Sequence, residues 1–429
     1  MVRIPDLQQA LQFVLTDSAT EHGATSGWQQ RRGQISPSQF VQTLVWGFLE
    51  SPEATLGHLA HVAHAAGALV TPQALSQRFS ARSVAVLRGV LQDALCLLLE
   101  AAPVEVALLR AFPGGVSLDD STQIALPAVW QTVWDGGGTA AALKIPALFD
   151  LLRGALQVDL TPARQHDAVT RLANLTFPPG ALVIEDLGYL EAERLRRRTT
   201  QGVATSVPVR CTRALQDEQG QRSNLLAWLR RHPHQPVERW VCWQGVGLRL
   251  VALPASPATA APAARKRQGI REAAERQGRV PPAAALALAE WIVLLTTVPP
   301  EQATIEQIAT LMRLRWQIEL LFKLWKDQGK LDETRGWNPA RSETELSAKL
   351  LGLLLAHWVL LATAWQWADR SLVKAGQTIR AYGRCLCLSW RDLVHLTLVG
   401  DLIAQSLAHS GRIRSHCHHH SAAFYAQSA

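Results

Sequence analysis

The feature that most constrains this chain is an apolar helix with a narrow charged stripe. The sequence predicts one long helix over residues 305–328. At about 100° per residue, a stripe about 80° wide holds Arg315, Glu319, Lys323 and Lys326, while most of the other side chains are Leu, Ile, Phe and Trp. Such a helix is largely buried, and buried charges are costly unless they are paired or face a ligand.

Two interpretations of the stripe remain open from geometry alone. In the first, Glu319 bridges Arg315 and Lys323 in an internal ion-pair seam. In the second, the Glu319 carboxylate binds a metal ion while its basic neighbours grip phosphate groups.

Charge is unevenly distributed along the 429 residues. Residues 111–186 carry 4 basic and 8 acidic side chains, whereas residues 187–298 carry 17 basic and 8 acidic ones. This pattern suits a polyanionic partner that also requires cations, although an uneven surface charge on any soluble protein would look the same. The apolar fraction of 48% excludes a wholly disordered chain.

The sequence also predicts a cytoplasmic protein without a membrane partner. Six scattered Cys residues are too sparse for a disulfide scaffold, and the first ten residues lack the pattern of a signal peptide. The longest apolar run, Leu350–Trp365, is shorter than a membrane span and is better explained as a buried core helix.

Two predicted strands each end in an acidic residue. Along Val116–Asp120, the alternation of a strand places Val116, Leu118 and Asp120 on one face. The segment from Ala181 repeats this design and puts Asp186 on the face of its apolar residues. Asp120 and Asp186 are therefore better candidates for a shared site at a sheet edge than their neighbours Asp119 and Glu185.

Further elements are predicted between and after these strands. A helix is expected over residues 166–175, a Pro/Ala linker over 254–264 and a basic helix from Arg265. An exposed Trp in this basic region would stack on bases, although core packing explains most Trp residues. The additional strands are predicted over residues 143–152, 155–160, 203–210, 239–243, 248–253 and 291–296.

Residues 55–80 have the pattern of a helix-turn-helix. A helical run ends at Gly67, and Thr71 and Pro72 then supply an N-cap and a first helical residue. In a DNA-binding motif the second helix would reach bases or phosphates, whereas the alternative is an ordinary helical hairpin. The candidate DNA contacts are Gln73, Ser76, Gln77 and Arg78.

These motifs together resemble the DDE transposases of bacterial insertion sequences, specifically the insertion-sequence-four family. That family carries a Tyr-x2-Arg-x3-Glu-x6-Lys signature on the helix of its last catalytic acid. The corresponding positions here are Met312, Arg315, Glu319 and Lys326, so three of four match. Asp120-Ser121-Thr122 and Asp186-Leu187-Gly188-Tyr189 resemble the sequences around the family's first and second acids. The resemblance covers roughly residues 30–370.

The resemblance implies an α/β fold, in which an RNase H-like catalytic core is interrupted by a β-rich insertion. An all-α DNA-binding domain would precede the core, and a helical C-terminal region would follow it. The expected segments are 1–110 (N-terminal domain), 111–189 (core), 190–298 (basic insertion), 299–370 (core) and 371–429 (helical region with a disordered tail).

The resemblance further implies that Asp120, Asp186 and Glu319 hold two divalent cations, Mg²⁺ or Mn²⁺, in each active site. The partners would be double-stranded DNA, as terminal inverted repeats and as target, and a second copy of the chain in the synaptic complex. Trp291 would stack on a flipped base, and phosphates would be gripped by a basic set consisting of Arg315, Lys323, Lys326, Arg196, Arg197 and Arg198.

Met312 is the departure from the signature, because a thioether cannot donate a hydrogen bond to phosphate as a Tyr hydroxyl can. It leaves the three acids intact, so catalysis is still expected. The alternatives are a catalytically silent DNA-binding regulator or inhibitor and a metal-dependent nuclease that cuts without joining. Met312 favours the former, and the sequence does not separate the latter from a transposase.

Overall fold

The computed structural model describes residues 2–29, 33–167, 170–209, 215–233, 235–255, 260–334 and 338–411. The predicted disordered tail falls at residues 412–429, outside this range. The chain divides into two compact units. The first contains Met1–Glu105, Ser121–Asn174 and Gln317–His416, and the second contains Val106–Asp120, Leu175–Trp316 and Cys417–Ala429.

Helices dominate the first unit, as predicted for the N-terminal region. Capping accounts for several boundaries: Ser36 and Gln39 cap each other's backbone groups at the start of one helix, and Pro37 is its first residue. The N-terminal helices are α1 (Ile4–Gln12), α2 (Ala19–Thr25), α3 (Pro37–Glu50), α4 (Leu56–Ala65), α5 (Pro72–Ser76) and α6 (Ala81–Cys96), and a π-helical segment, Phe13–Ser18, joins α1 to α2. Helix α7 (Ala107–Arg110) follows in the second unit.

A long central helix, α14 (Pro339–Thr363), organises the first unit. It packs against α3 and α6, and against the later helices α15 (Leu372–Ala381) and α17 (Leu393–Ser410), while α16 (Gly383–Ser389) packs on α3. Its length and composition would suit a membrane span, yet its most apolar window is entirely buried inside the protein. The prediction of a buried core helix in this region is therefore confirmed.

Three short strands complete the first unit: β2 (Ala141–Asp150), β3 (Leu156–Val158) and β4 (Thr161–Pro162). Both β3 and β4 pair antiparallel with β2. The turn between β2 and β3 requires Gly154, because its φ is +70° and a Cβ would collide with Leu361 and Trp365. The two strands predicted on either side of Arg153-Gly154 are confirmed.

The helix predicted over residues 166–175 is wrong for the described part of this segment, which excludes residues 168 and 169. The described residues 170–175 contain a 3₁₀ turn, Leu172–Asn174, and no α-helix. The Arg171 backbone N–H donates to the Asp159 carboxylate, and the Arg171 guanidinium donates to the Val158 carbonyl. These tertiary bonds hold the segment in an irregular conformation that local periodicity does not reveal.

A mixed sheet forms the centre of the second unit. Its strands are β1 (Val116–Leu126), which continues into the first unit, β5 (Leu182–Glu185), β6 (Ala204–Pro208), β7 (Val237–Trp243), β8 (Val246–Pro254) and β9 (Trp291–Thr296). Their order in the sheet is β1-β5-β6-β9-β8-β7. The first three strands are parallel, and the remaining pairs are antiparallel. The strands predicted after residue 200 are thus confirmed, and the mixed α/β class with them.

The helices of the second unit, besides α7, are α8 (Ala192–Thr200), α9 (Leu225–Arg230), α10 (Ala260–Arg276), α11 (Ala283–Leu288) and α12 (Ile305–Leu314). A core cluster, which includes Leu195, Leu229, Leu250 and Leu295, joins helices α8 and α9 to the antiparallel strands. Helix α10 begins at Ala260, five residues before the predicted start. The predicted linker therefore continues into helix, in keeping with the high helix propensity of alanine.

Arg249 on β8 fixes the chain that leads into α12. Its side chain is buried, and its Nε donates to Glu238 Oε2 at 2.8 Å. Its Nη1 donates to the carbonyl oxygens of Val298, at 3.3 Å, and Ala303, at 2.7 Å. Arg249 thereby ties strand β8 to the connection between β9 and α12.

We expect Arg249→Met to lower the free energy of unfolding by about 2–4 kcal/mol, because the two carbonyl acceptors lose their donor inside the protein. Urea denaturation measures this change. Arg267→Met is the matched control, since Arg267 makes a comparable ion pair with Glu290 at the surface and should cost less than about 1 kcal/mol. Equal losses of unfolding free energy in Arg249→Met and Arg267→Met would contradict the structural role of Arg249.

Candidate active site

The parallel pairing of β1 and β5 brings two pairs of acidic residues side by side. In the register of these strands, Leu118 lies beside Ile184 and Asp119 lies beside Glu185. Asp120 and Asp186 are the next residues on the two chains. Because side chains alternate between the faces of a sheet, Asp120 within β1 is directed to the face opposite Asp119, and the same alternation would place Asp186, the residue after β5, opposite Glu185.

The Asp119 and Glu185 carboxylates are buried and neutralised by two arginines of α8. Arg194 Nη2 donates to Asp119 Oδ2 at 2.5 Å and lies 3.3 Å from Glu185 Oε1. Arg198 Nη1 donates to the Glu185 carboxylate. Burial, followed by the adjacent Glu185 carboxylate, raises the pKa of Asp119, while the two guanidinium groups oppose this shift. Asp119 and Glu185 are therefore structural, and this is consistent with the parity argument that favours Asp120 and Asp186.

The sequence pattern suggested that Asp120 ends a strand, but the structure places it elsewhere. Strand β1 continues to Leu126, so Asp120 stands within it, whereas Asp186 directly follows β5. The polar residues that follow Asp120 extend the strand beyond the point where its apolar run stops. The two acids are therefore related by the register that pairs Asp119 with Glu185 rather than by a common strand end.

Arg315 contacts the first of these acids directly. Its Nη1 donates to Asp120 Oδ2 at 2.9 Å, and both side chains are mostly buried. Arg315 is the turn residue between α12 and the next helix, α13 (Trp316–Lys323). One basic residue of the predicted stripe therefore lies at the Asp120 carboxylate.

The long helix predicted over residues 305–328 is interrupted rather than uniform. Helix α12 ends before Arg315, and α13 is followed by a π-helical turn, Leu324–Gln328. The uniform rotation of 100° per residue does not hold through that turn, so it does not give the direction of Lys326. Glu319 and Lys323 are one turn apart on α13, within the first unit, and Lys323 is exposed and 4.0 Å from Asp327.

The donor set at this site fits a hard divalent cation in kind, because Asp120 and Asp186 supply carboxylate oxygens. Asp186 has no hydrogen-bonding or ionic partner for its carboxylate among the residues that the structure describes. Within the same described residues, however, no group of three or more His, Cys, Asp or Glu side chains is close enough to hold a metal ion. Of the three predicted ligands, Asp120 and Asp186 directly follow the paired residues Asp119 and Glu185 of β1 and β5.

The helix-turn-helix segment has the predicted layout. Helix α4 is followed by Gly67, with φ +81°, and the Thr71 hydroxyl accepts from the Ala74 backbone N–H at the start of α5. Helix α5 is only five residues long, which is short for a helix that enters a groove. Gln73, Ser76 and Gln77 are exposed.

Arg78 is less accessible than the other candidates of this segment. It is half-buried, and its guanidinium lies 5.3 Å from the centre of the Trp28 ring. Its backbone carbonyl accepts from the Trp28 indole N–H. Arg78 therefore helps to attach the end of α5 to the N-terminal helices.

The three consecutive arginines of α8 have different environments. Arg196 and Arg197 are exposed, and Arg196 pairs with Glu193 at 3.2 Å. Arg198 is buried in its pair with Glu185, so it does not offer a charge to DNA. The structure thus removes Arg198 from the predicted DNA contacts, because the helix turns every fourth residue towards the strands.

Trp291 begins β9, as predicted, and is half-buried against the core cluster of the second unit. Two other tryptophans are more exposed: Trp240 on β7 at 42% and Trp316 at 49%. What the sequence analysis missed is the pairing of Arg194 and Arg198 with Asp119 and Glu185. Their spacing of four residues, shortly after the adjacent acids Glu185 and Asp186, was the available signal.

Comparison with known proteins gives consistent results. The family model of the transposase DDE domain matches residues 115–355. The transposase for insertion sequence element IS231F of Bacillus thuringiensis subsp. israelensis is 25% identical over 379 residues, which cover 82% of this chain and 79% of that protein. The transposase of element IS231C from subsp. berliner is 25% identical over 401 residues, or 86% and 81% of the two chains.

A shorter similarity reaches higher identity. The InsL protein of insertion sequence element IS186A from Escherichia coli strain K12 is 41% identical over 80 residues, 19% of this chain and 22% of that protein. The match to the family model covers more than half of the 429 residues and includes Asp120, Asp186 and Glu319. The chain therefore belongs to the DDE transposase family, together with transposases of bacterial insertion sequences.

Proposed function

We propose that this transposase binds the ends of its insertion sequence, cleaves phosphodiester bonds there and joins the resulting 3′-hydroxyl ends to target DNA. The observation that carries the proposal is the β1–β5 register, in which Asp119 lies beside Glu185 and is followed on its strand by Asp120, as Glu185 is by Asp186. Asp119 and Glu185 are already occupied by arginines. The family resemblance assigns Asp120 and Asp186 to catalysis instead.

Asp120, Asp186 and Glu319 would hold two Mg²⁺ or Mn²⁺ ions. When bound, such ions activate the attacking oxygen and stabilise the leaving oxygen of a phosphodiester. The assignment of Glu319 rests on its place in the Arg-x3-Glu-x6-Lys pattern. Asp120 and Asp186 have the additional support of their register.

Arg315 has a separate part in the proposal. It donates to Asp120, and its planar guanidinium is suited to bidentate contact with a phosphate. A cation bound at Asp120 would offset the carboxylate charge and release Arg315 for the DNA backbone. Lys323 and Lys326 would add further positive charge along the same segment.

The remaining DNA contacts in the proposal lie on exposed side chains. Gln73, Ser76 and Gln77 would contact the terminal repeat, and Arg196 and Arg197 would contact its backbone. Trp291 would stack on a base extruded from the DNA end. Two copies of the chain would act together in the synaptic complex, in the cytoplasm.

The test is an assay with Mg²⁺ on DNA that carries the element's own ends. We expect cleaved ends with 3′-hydroxyl groups and products joined to a second DNA, both of which disappear when the metal is chelated. Cleavage without joined products would identify a nuclease instead.

One observation favours a second candidate, a silent DNA-binding regulator: Met312 stands where the family signature has Tyr. DNA binding without cleavage in either Mg²⁺ or Mn²⁺ would support that candidate. Met312→Tyr would then be the first variant to examine, because it restores the missing hydroxyl.

A further inference from the structure

We propose that Arg194 and Arg198 are positioning residues for the carboxylates of Asp120 and Asp186. Neither arginine is placed on the metal-binding face, so each acts through Asp119 and Glu185 on the opposite one. The proposal rests on the metal-dependent function proposed above. It adds to that function two residues that lie outside the Arg-x3-Glu-x6-Lys pattern.

The need for such residues follows from the crowding of negative charge. Asp119 and Asp120 are consecutive residues of β1, and Glu185 and Asp186 are the last residue of the neighbouring β5 and the residue after it. Asp119 and Glu185 are 2% and 1% exposed, so water does not screen their repulsion. Without counterions, this repulsion would push β1 and β5 apart at the point where the ligands stand.

The two guanidinium groups link the strands rather than pairing with one acid each. Arg194 Nη2 is 2.5 Å from Asp119 on β1 and 3.3 Å from Glu185 on β5. Arg198 pairs with Glu185 and also has Nη2 3.9 Å from Asp119 Oδ2. The four charges sum to zero, and each arginine spans both strands.

Aromatic rings restrict the two arginines further. The guanidinium carbon of Arg194 is 5.4 Å from the centre of the Tyr189 ring, and that of Arg198 is 5.3 Å from the Phe177 ring. Because Arg194 and Arg198 are one turn apart on α8, this helix presents both groups to the strands together. Arg194 and Arg198, bound to Asp119 and Glu185, therefore form a clamp on one face of the strand pair.

The clamp acts on the opposite face because adjacent residues share one backbone. A slide or rotation of β1 against β5 that moves Asp119 from Glu185 also moves Asp120 from Asp186. Metal affinity depends on ligand placement within a fraction of an ångström, and groups that orient ligands typically contribute about 10–100-fold. Loss of the clamp should therefore appear as weaker metal binding.

The experiment measures Mn²⁺ binding to the full chain without DNA, by titration calorimetry or electron paramagnetic resonance. We expect Arg194→Gln to weaken Mn²⁺ binding by roughly 10-fold or more. The sign is decisive, because removal of a positive charge would by itself strengthen the binding of a cation. Arg194→Lys, which keeps the charge and one contact, should bind Mn²⁺ with an affinity between those of Arg194→Gln and the wild type.

Leu195→Ala is the control for general destabilisation, since Leu195 is the next residue on α8 and packs in the core cluster. It should lower the melting temperature and leave Mn²⁺ affinity unchanged. Equal weakening in Leu195→Ala and Arg194→Gln, or unchanged or tighter binding in Arg194→Gln, would overturn the proposal. If Arg194→Gln does not fold, Arg198→Gln carries the same expectation.

Asp120→Asn distinguishes a failure of the positioning role from a failure of the proposed metal site. If it abolishes Mn²⁺ binding while Arg194→Gln does not weaken it, the metal site stands and the positioning role fails. If Asp120→Asn and Asp186→Asn leave Mn²⁺ binding as in the wild type, the proposed site itself fails, and the positioning role with it.

Discussion

Asp120→Asn and Asp186→Asn are each expected to reduce the rate of DNA cleavage in Mg²⁺ by at least about a thousandfold. Asparagine keeps the size of the side chain and removes the negative charge that a hard cation requires. Both residues lie at the same level of the β1–β5 pair, so neither substitution should disturb the buried cluster on the other face. Gel analysis of end-labelled DNA measures the cleavage rate.

Glu306→Gln is the matched control, because Glu306 is an exposed acid on α12, the helix that leads to Arg315. It should cleave DNA at the rate of the wild type. DNA binding by the two Asp variants should persist, since the phosphate contacts are made by other residues. Cleavage by either variant at more than about a tenth of the wild-type rate would exclude that residue as a metal ligand.

Glu319→Gln extends the same comparison to the third acid. The position of Glu319 in the Arg-x3-Glu-x6-Lys pattern predicts a loss as large as that for Asp120→Asn. A variant that still cleaves would instead favour the ion-pair interpretation of the helical stripe. The result decides between the two alternatives that helix geometry leaves open.

A pH effect on stability is expected from His357 on α14. Its ring is 5% exposed, and its Nε2 donates to the Gly154 carbonyl oxygen at 2.7 Å. Burial, which outweighs this hydrogen bond, together with the charge of Arg370, lowers the pKa of His357 from 6.5 to about 4. The folded protein therefore holds the neutral imidazole at neutral pH.

As the pH falls from 6.5 to about 4, we expect the titration of His357 to lower the free energy of unfolding by up to about 3 kcal/mol. In this range the unfolded chain binds a proton at His357 and the folded chain does not, so protonation favours the unfolded state. Above pH 6.5 the imidazole is neutral in both states, and this stability is fully retained. Urea denaturation at a series of pH values measures it.

His357→Gln is the matched variant, because its amide can donate to Gly154 and does not titrate. The other titrating groups are common to both proteins, so the difference between the two pH profiles isolates His357. The wild type should lose stability more steeply than His357→Gln between pH 6.5 and 4. Parallel profiles would show that His357 is not held neutral.

Much of the site was accessible from local patterns. Strand alternation separated Asp120 from Asp119 and Asp186 from Glu185, and in the structure Asp119 and Glu185 are the buried members that pair with arginines. The start of α5 was also predicted, since a Thr N-cap followed by Pro is a local signal. The strands of the basic region could likewise be located from their apolar runs.

Other features depend on contacts between residues distant in sequence. The irregular segment around Arg171 is held by bonds to Val158 and Asp159, and these override a helical pattern. Arg198 looked like a surface charge beside Arg196 and Arg197, yet the turn of α8 directs it to Glu185. Helical periodicity shows on which face of a helix a residue lies, but it does not show which face packs against other elements.

The sequence by itself determined the family and the positions of most strands, and it singled out Asp120 and Asp186 by strand parity, because motifs, caps and alternation are encoded within a few residues. Only the tertiary structure decided the β1–β5 register, the pairing of Arg315 with Asp120 and the neutralisation of Asp119 and Glu185 by α8. Each of these joins residues from separate segments. Their energies depend on burial and on distances between charges, which exist only once the strands and helices are packed.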